Sequence, residues 1–268
     1  MKPVVLLMAL FIACLALSPV SATPPGDLSP LVSPRSFFSD SEDLVYEVSW
    51  TFIKLGTIHI KTVGDFKAIA YIDSYQGLPF VDLHSVNYTE MDSAFYTKCG
   101  YAIDKDGKDW KGLRYMLDLS NKSVAIEELH HKDPASPPYK CEIKDTMHLK
   151  STSFVDGLAI GYLPRLFIHS AQTMNVLTLL KGALGTTTFF FTGKRTTEDI
   201  GVLDDPVRVV EVEGSTNVVG VYGMTGEFTG WFSDDDAAVP IKGKLKVLIG
   251  NVTVELIQWN RKGWQPPQ

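Results

Sequence analysis

Apolar and polar residues alternate with a period of two over much of residues 44–259, and this pattern limits the chain more than any other feature of it. Side chains of a β-strand point alternately to opposite faces, so such a pattern buries one face of a sheet. In LVYEVSWTFIKLGTIHIKTV, Tyr46, Val48, Trp50 and Phe52 share a face while Glu47, Ser49 and Thr51 take the other, and Ile58 and Ile60 resume the apolar face past Gly56. The segment reads as a hairpin or a sharply bulged strand, with Gly56 supplying the unusual backbone geometry.

At the C-terminal end, Gly250-Asn251 is a two-residue turn signal between KGKLKVLI and VTVELIQW. Counting outward predicts Ile249 opposite Val252, Val247 opposite Val254 and Leu245 opposite Leu256, with Lys246 facing Glu255. LRYMLDL, SVAIEEL, MNVLTLLKG, TTTFFFTGK, VRVVEVEG and GEFTGWFS complete a set of about ten strands separated by turns rich in Asp, Gly and Pro. That exceeds what an open twisted sheet carries comfortably, so the sheet should curl. We therefore expect an all-β fold, a strongly curved antiparallel sheet or half-open β-barrel with one short helix. The helix falls at about 153–172, where Leu158, Tyr162, Leu163, Leu166 and Phe167 recur at helical spacing behind Asp156 as N-cap, with a bend at Pro164.

Residues 1–22 read as a cleavable export signal: one lysine, an apolar run from Pro3 to Leu17, and Val20-Ser21-Ala22 before the cut. Cys14 lies inside that apolar run, a poor context for lipid attachment. Residues 23–39 are expected to be a flexible Pro-rich linker, 40–260 a single β domain and 261–268 a C-terminal tail, with Trp264 a candidate to fold back. The location implied is the periplasm or cell envelope. Beyond the signal no apolar run reaches the roughly 20 residues of a membrane helix. A net charge of −6 disfavours a nucleic-acid partner. Cys99 and Cys141 are available to pair in an oxidising compartment, where a disulfide would contribute about 4 kcal/mol; two free thiols are the alternative.

The opening LVYEVSWTFIKLGTIHI and the later GEFTGWFSDDDAAVPIKGKLKVLIGNVTVEL resemble the two hallmarks of an exported bacterial family of unknown function, DUF 3108. The second consists of a W-x-S/T-D-D run followed by P-V/I, a strand, a glycine turn and a last strand. VDGLAIGYLPR sits where that family carries D-x-L-S…Y-L-R, departing from it at Gly157 and Ala159. The resemblance spans about residues 40–259 and implies an exported β-rich protein without an established activity.

Chemistry-bearing clusters are few. Asp234, Asp235 and Asp236 are adjacent and cannot all reach one cation, so they read as a solvated turn. Glu127, Glu128, His130, His131 and Asp133 lack zinc-ligand spacing and read as an exposed loop. The glycines at 220, 223, 226 and 230 precede a strand and so offer no helix N-terminus to a phosphate. His59, His84, His148 and His169 are scattered, and no nucleophile motif is present. We name no catalytic residue, metal site or cofactor. The strand aromatics offer a different possibility, a lipid or other apolar ligand against the concave face, lined by Trp50, Phe52, Phe190 and Trp231. Two alternatives are an interaction module that docks an envelope protein and a hydrolase of an envelope polymer.

Overall fold

The computed structural model describes residues 36–39, 41–78, 82–218, 226–247 and 250–268. The export signal, nearly all of the linker, Gly220, Gly223 and Ile249 lie outside the described residues. One 15-stranded sheet dominates. Its strands are β1 (Asp43–Trp50), β2 (Ile53–Gly64), β3 (Lys67–Ser74), β4 (His84–Met91), β5 (Thr97–Asp106), β6 (Asp109–Asp118), β7 (Ser123–His131) and β8 (Lys140–His148). They continue as β9 (Phe154–Val155), β10 (Gln172–Leu180), β11 (Ala183–Glu198), β12 (Val207–Thr216), β13 (Gly226–Ser233), β14 (Pro240–Lys246) and β15 (Asn251–Asn260). Helix α1 is Ser36–Ser39, and α2 (Ala159–Tyr162) runs into a 3-10 turn at Leu163–Leu166.

The order is a meander from β8 down to β1, closed onto β15 and continued down to β10, with β9 added in parallel. The all-β, curled-sheet expectation holds. Five strands escape the sequence pattern, β3, β4, β5, β8 and β9. In β3–β5 the face turned to the core carries Ala68, Ala70, Thr89 and Gly100, because the helical segment packs directly on it. Asp156 is pressed so closely there that a Cβ at Gly100 would come within 2.4 Å of its carboxylate. Small inward residues leave little apolar contrast to detect. Strand β8 is exposed on nearly every residue, so neither face is patterned. As a sheet edge it is defended by alternating Lys and Glu or Asp and by a bulge at Ile126/Glu127 of its pairing with β7.

The ends of the sheet overlap instead of joining. Strand β10 is covered on both faces: Val176 belongs to the central core, while Leu179, with Leu177, packs with Phe154 against Tyr115, Val124 and Ile126 of β6 and β7. The β6–β8 end therefore lies over β9–β10, fastened by side chains. The β10–β11 turn docks there too, its Gly182 amide donating to the Tyr115 hydroxyl at 3.0 Å.

The helical segment lies inside the curl. The Asp156 carboxylate accepts from the Leu158 and Ala159 amides at 2.9 and 2.8 Å, closing the turn that leads into α2, whose N-cap position is held by Leu158. Pro164 lies in the first turn of the 3-10 piece, so the short helix expected to bend at Pro164 is two pieces of four residues each. Phe37, Phe38, Phe66 and Phe95 close around Tyr162 at one end of the barrel. Below them Arg165 makes a two-pronged ion pair with Glu42, at 2.8 and 2.6 Å, and Arg261 donates to the same carboxylate at 2.6 Å. The linker's last residues and the C-terminal tail, expected to be loose, thus take part in the core: Phe37 is fully buried, and Trp264 donates to Asp235 at 2.8 Å.

The C-terminal hairpin pairs Leu245 with Val252 and Lys242 with Glu255, four residues away from the expected register. An even shift keeps every side chain on its own face, so the hydrophobic pattern cannot distinguish the two registers. Similarly, the β1–β2 turn falls at Thr51-Phe52, and Gly56 lies within β2 opposite a bulge at Val48/Ser49. There a Cβ would meet the Asp73 carbonyl oxygen at 2.1 Å.

Candidate functional site

Hairpins β1–β2, β3–β4, β5–β6, β7–β8 and β10–β11 turn at the same end of the barrel, called the upper end below; α1 and the phenylalanine plug occupy the lower end. The concave face changes in burial from one end to the other. Along β1, Leu44 and Tyr46 are buried but Val48 and Trp50, next on the same face, are half-buried. Across the sheet Val48 pairs with half-buried Val254, while half-buried Trp50 and Leu245 flank Val252, which is buried. On β3, buried Ala68 and Ala70 give way to half-buried Ile72. On β13, buried Phe232 gives way to Gly230 and half-buried Phe228. The lower half is thus a solid core, whereas in the upper half, among the described residues, Val48, Trp50, Ile72, Phe228, Leu245 and Val254 are only half-buried.

Glycine supplies room on this face. A Cβ at Gly243 would find nothing nearer than the Thr229 carbonyl oxygen at 4.0 Å. Gly214 has the opposite role, since a Cβ there would meet the Phe228 ring at 2.3 Å; its absence lets that ring lie flat on the sheet.

The rim is also apolar. Thr51 takes φ +54°, costly for a β-branched residue, and its amide donates to Asn251 at 3.1 Å. This holds Phe52 out with 91% of its surface exposed. Leu184, the second residue of β11, is 41% exposed and lies on the same face of that strand as Phe190.

Of the four residues proposed from sequence, Trp50 and Phe52 meet at this mouth and rim. Phe190 and Trp231 do not reach it. Phe189 and Phe191 point into the core, which puts Phe190 on the outer wall. Trp231 alternates with inward Gly230 and Phe232, and on the outer side it donates to Glu211 at 3.2 Å beneath the Lys244 ammonium. The parity of one strand relative to the next is what the sequence lacks. Val48, Ile72, Phe228, Leu245, Val254 and the open space at Gly243 were missed; of these, Val48 carried a signal, because it shares the face of Trp50.

Cys99 and Cys141 are free, which corrects the expected disulfide. They stand on β5 and β8, separated by β6 and β7, and three strand spacings amount to about 14 Å, well beyond what a disulfide spans. Burial raises the Cys99 thiol above its usual range, leaving it a poor nucleophile. The acidic–histidine cluster is no exposed loop: Glu127 and His131 lie buried on β7, the first paired with Arg114 and the second hydrogen-bonded to the Ser136 carbonyl at 2.8 Å. Asp235 fixes its own turn through the Ala237 and Ala238 amides. Among the described residues no three His, Cys, Asp or Glu side chains gather as a metal site, and no helix is long and apolar enough to cross a membrane.

Comparison with known proteins adds to the fold alone. No family model matches the chain, and no curated protein matches it. A solved structure, the β-barrel-like protein of domain of unknown function DUF1849 from Brucella abortus, is similar with a TM-score of 0.53 at 11% identity, over 84% of this chain and 99% of that one. DUF1849 is a different grouping from the DUF 3108 suggested by the motifs, so the finding supports a β-barrel-like domain and does not single out that family.

Proposed function

We propose that this protein is an exported, non-catalytic binder of a lipid or another apolar molecule, held in the upper half of the curled sheet and working in the periplasm or cell envelope, and that it is a relative of DUF 3108. The observation that carries the binding reading is the burial gradient on one continuous face, from Leu44 and Tyr46 in the core to half-buried Val48 and Trp50, together with the unfilled space above Gly243. Uncovered apolar surface in a concave setting is what an apolar ligand gains most by entering. Export rests on the leader sequence, and the family on the motifs at both ends of the domain.

The test is uptake of the apolar dye N-phenyl-naphthylamine, whose fluorescence rises in a dry site, by the wild type and by Gly243→Trp. The added Cβ meets nothing nearer than 4.0 Å, and the indole is introduced to obstruct the space beyond it. Saturable uptake that Gly243→Trp abolishes at unchanged melting temperature supports the reading. Absence of uptake by the wild type, or equal uptake by a folded Gly243→Trp, overturns it.

A further inference from the structure

We infer that β8 pairs edge to edge with β8 of a second copy of this chain, antiparallel about a two-fold axis through Cys141, so that Lys140 of each copy faces Glu142 of the other. The inference is independent of the ligand reading above, and three observations carry it. The first is the open edge. Strand β8 ends the sheet, and residues 139–146 are all exposed. The direction of its backbone follows from the ladder. The His130 carbonyl points to β8, accepting from the Tyr139 amide at 2.9 Å, and the Lys122 carbonyl does the same for Leu149 at 2.8 Å. Even-numbered residues of β7 therefore bond β8, whereas Glu127 and Leu129 turn their backbone groups away. Their partners Ile143 and Cys141 then present amide and carbonyl to the open edge.

The second observation is the register that the charges allow. Two copies related by a two-fold axis normal to the sheet keep each side chain on its own face, so the axis passes through a residue that faces itself. An axis through Lys140, Glu142, Lys144 or Asp145 sets a charge against its own copy. An axis through Ile143 pairs Glu142 with Lys144 but runs the new ladder over the bulge, where Lys144 is the extra residue and bridges Glu128 at 3.5 Å. An axis through Cys141 pairs Lys140 with Glu142 twice and uses the regular stretch before the bulge. The charges that defend this edge against other strands thus admit one alignment of its own copy. The third observation is what Glu142 lacks. Directly opposite it on β7 stands another carboxylate, Glu128, and its cation is Lys140 on its own strand, at 3.1 Å. A second copy supplies each Glu142 with a lysine across the strand and closes a ring of alternating charges. Ile143, 72% exposed on the face of Cys141, is then covered by the diagonal contact with the other copy's Cys141.

The test is sedimentation equilibrium of the mature chain under reducing conditions, with circular dichroism to confirm that each variant keeps its β structure. Wild type is compared with Glu142→Lys, with the swap Lys140→Glu plus Glu142→Lys, with Lys144→Glu and with Ile143→Pro. Wild type should form a dimer, and Glu142→Lys should weaken it at least about tenfold because both cross-axis pairs become like-charged. The swap should restore the dimer, and Lys144→Glu should leave it unchanged. Ile143→Pro removes an amide that faces the open edge, leaves the β7 ladder whole and should abolish the dimer. A short bismaleimide should join two wild-type chains and should fail to join those of Cys141→Ser. A wild type that is monomeric at roughly 0.1 mM overturns the inference. So does a dimer that is indifferent to Glu142→Lys, is not restored by the swap, is lost in Lys144→Glu, survives Ile143→Pro or is not joined through Cys141.

Discussion

Replacing Glu42 by Gln should cost this protein about 3–4 kcal/mol of stability. The carboxylate is fully buried and accepts from Arg165 at 2.8 and 2.6 Å and from Arg261 at 2.6 Å. Arg165 is itself buried, and its Nε has no hydrogen-bond partner. Removing the anion leaves two guanidinium groups facing one another in a site closed to water, and breaking a buried pair from one side costs about 3–5 kcal/mol. What stays in place limits the loss. Arg165 still donates to the Ala237 carbonyl at 2.6 Å and stacks over Phe37 and Tyr162, with 4.7 and 5.4 Å from its guanidinium carbon to the ring centres. Such contacts offset about 1 kcal/mol, which places the net near the lower part of the range. For a domain of this size each kcal/mol moves the melting temperature by about 2–4 °C, so thermal unfolding should fall by about 6–16 °C. Urea unfolding followed by far-UV circular dichroism supplies the free energy. Adding Arg165→Met should recover part of the loss, because the stranded cation is what makes the single change expensive. A loss under about 1 kcal/mol, or a double variant whose losses simply add, would refute the argument. Glu128, an exposed carboxylate beside Lys144 and His130, is the control, and Glu128→Gln should leave the unfolding midpoint close to that of wild type.

Other outcomes follow from the same geometry. Burial raises the Asp156 carboxyl above its ordinary value, so the folded state holds a proton that the unfolded chain releases, and stability is lost as pH climbs from about 4 through the folded value. Asp156→Asn removes this dependence, and its urea midpoint should gain on wild type from acid to neutral pH; a constant difference would count against a raised carboxyl. Because Cys99 and Cys141 stand apart, reduction should leave the melting temperature unchanged and the mass should show two free thiols; a loss of two hydrogens, restored by reductant, would contradict the strand order. Thr51→Gly relieves the positive-φ turn and should raise stability by about 1 kcal/mol, whereas Gly56→Ala drives a methyl into the Asp73 carbonyl and should lower it by more than about 2; calorimetry on both would expose an error in either sign.

The alternation of Tyr46, Val48 and Trp50 against Glu47 and Ser49 was enough to determine a β-rich curled fold, because a period of two is a local property of the strand. Asp156 was likewise legible as the acceptor at the start of the helical segment, two residues ahead of the N-cap Leu158, since such a bond needs only its own neighbours. Tertiary structure decided everything that depends on parity and closure. Phe190 faces out because Phe189 and Phe191 face the core, and a run of three phenylalanines carries no sign of which parity is inside. The last hairpin pairs four residues from its expected register because an even slip costs the hydrophobic pattern nothing. The strands under the helical plug were invisible for the opposite reason, their inward residues being small to admit it. The mouth itself is a matter of what remains uncovered. Val48 and Leu44 are equivalent in the sequence pattern, and only the placement of the plug at the lower end buries one and leaves the other open.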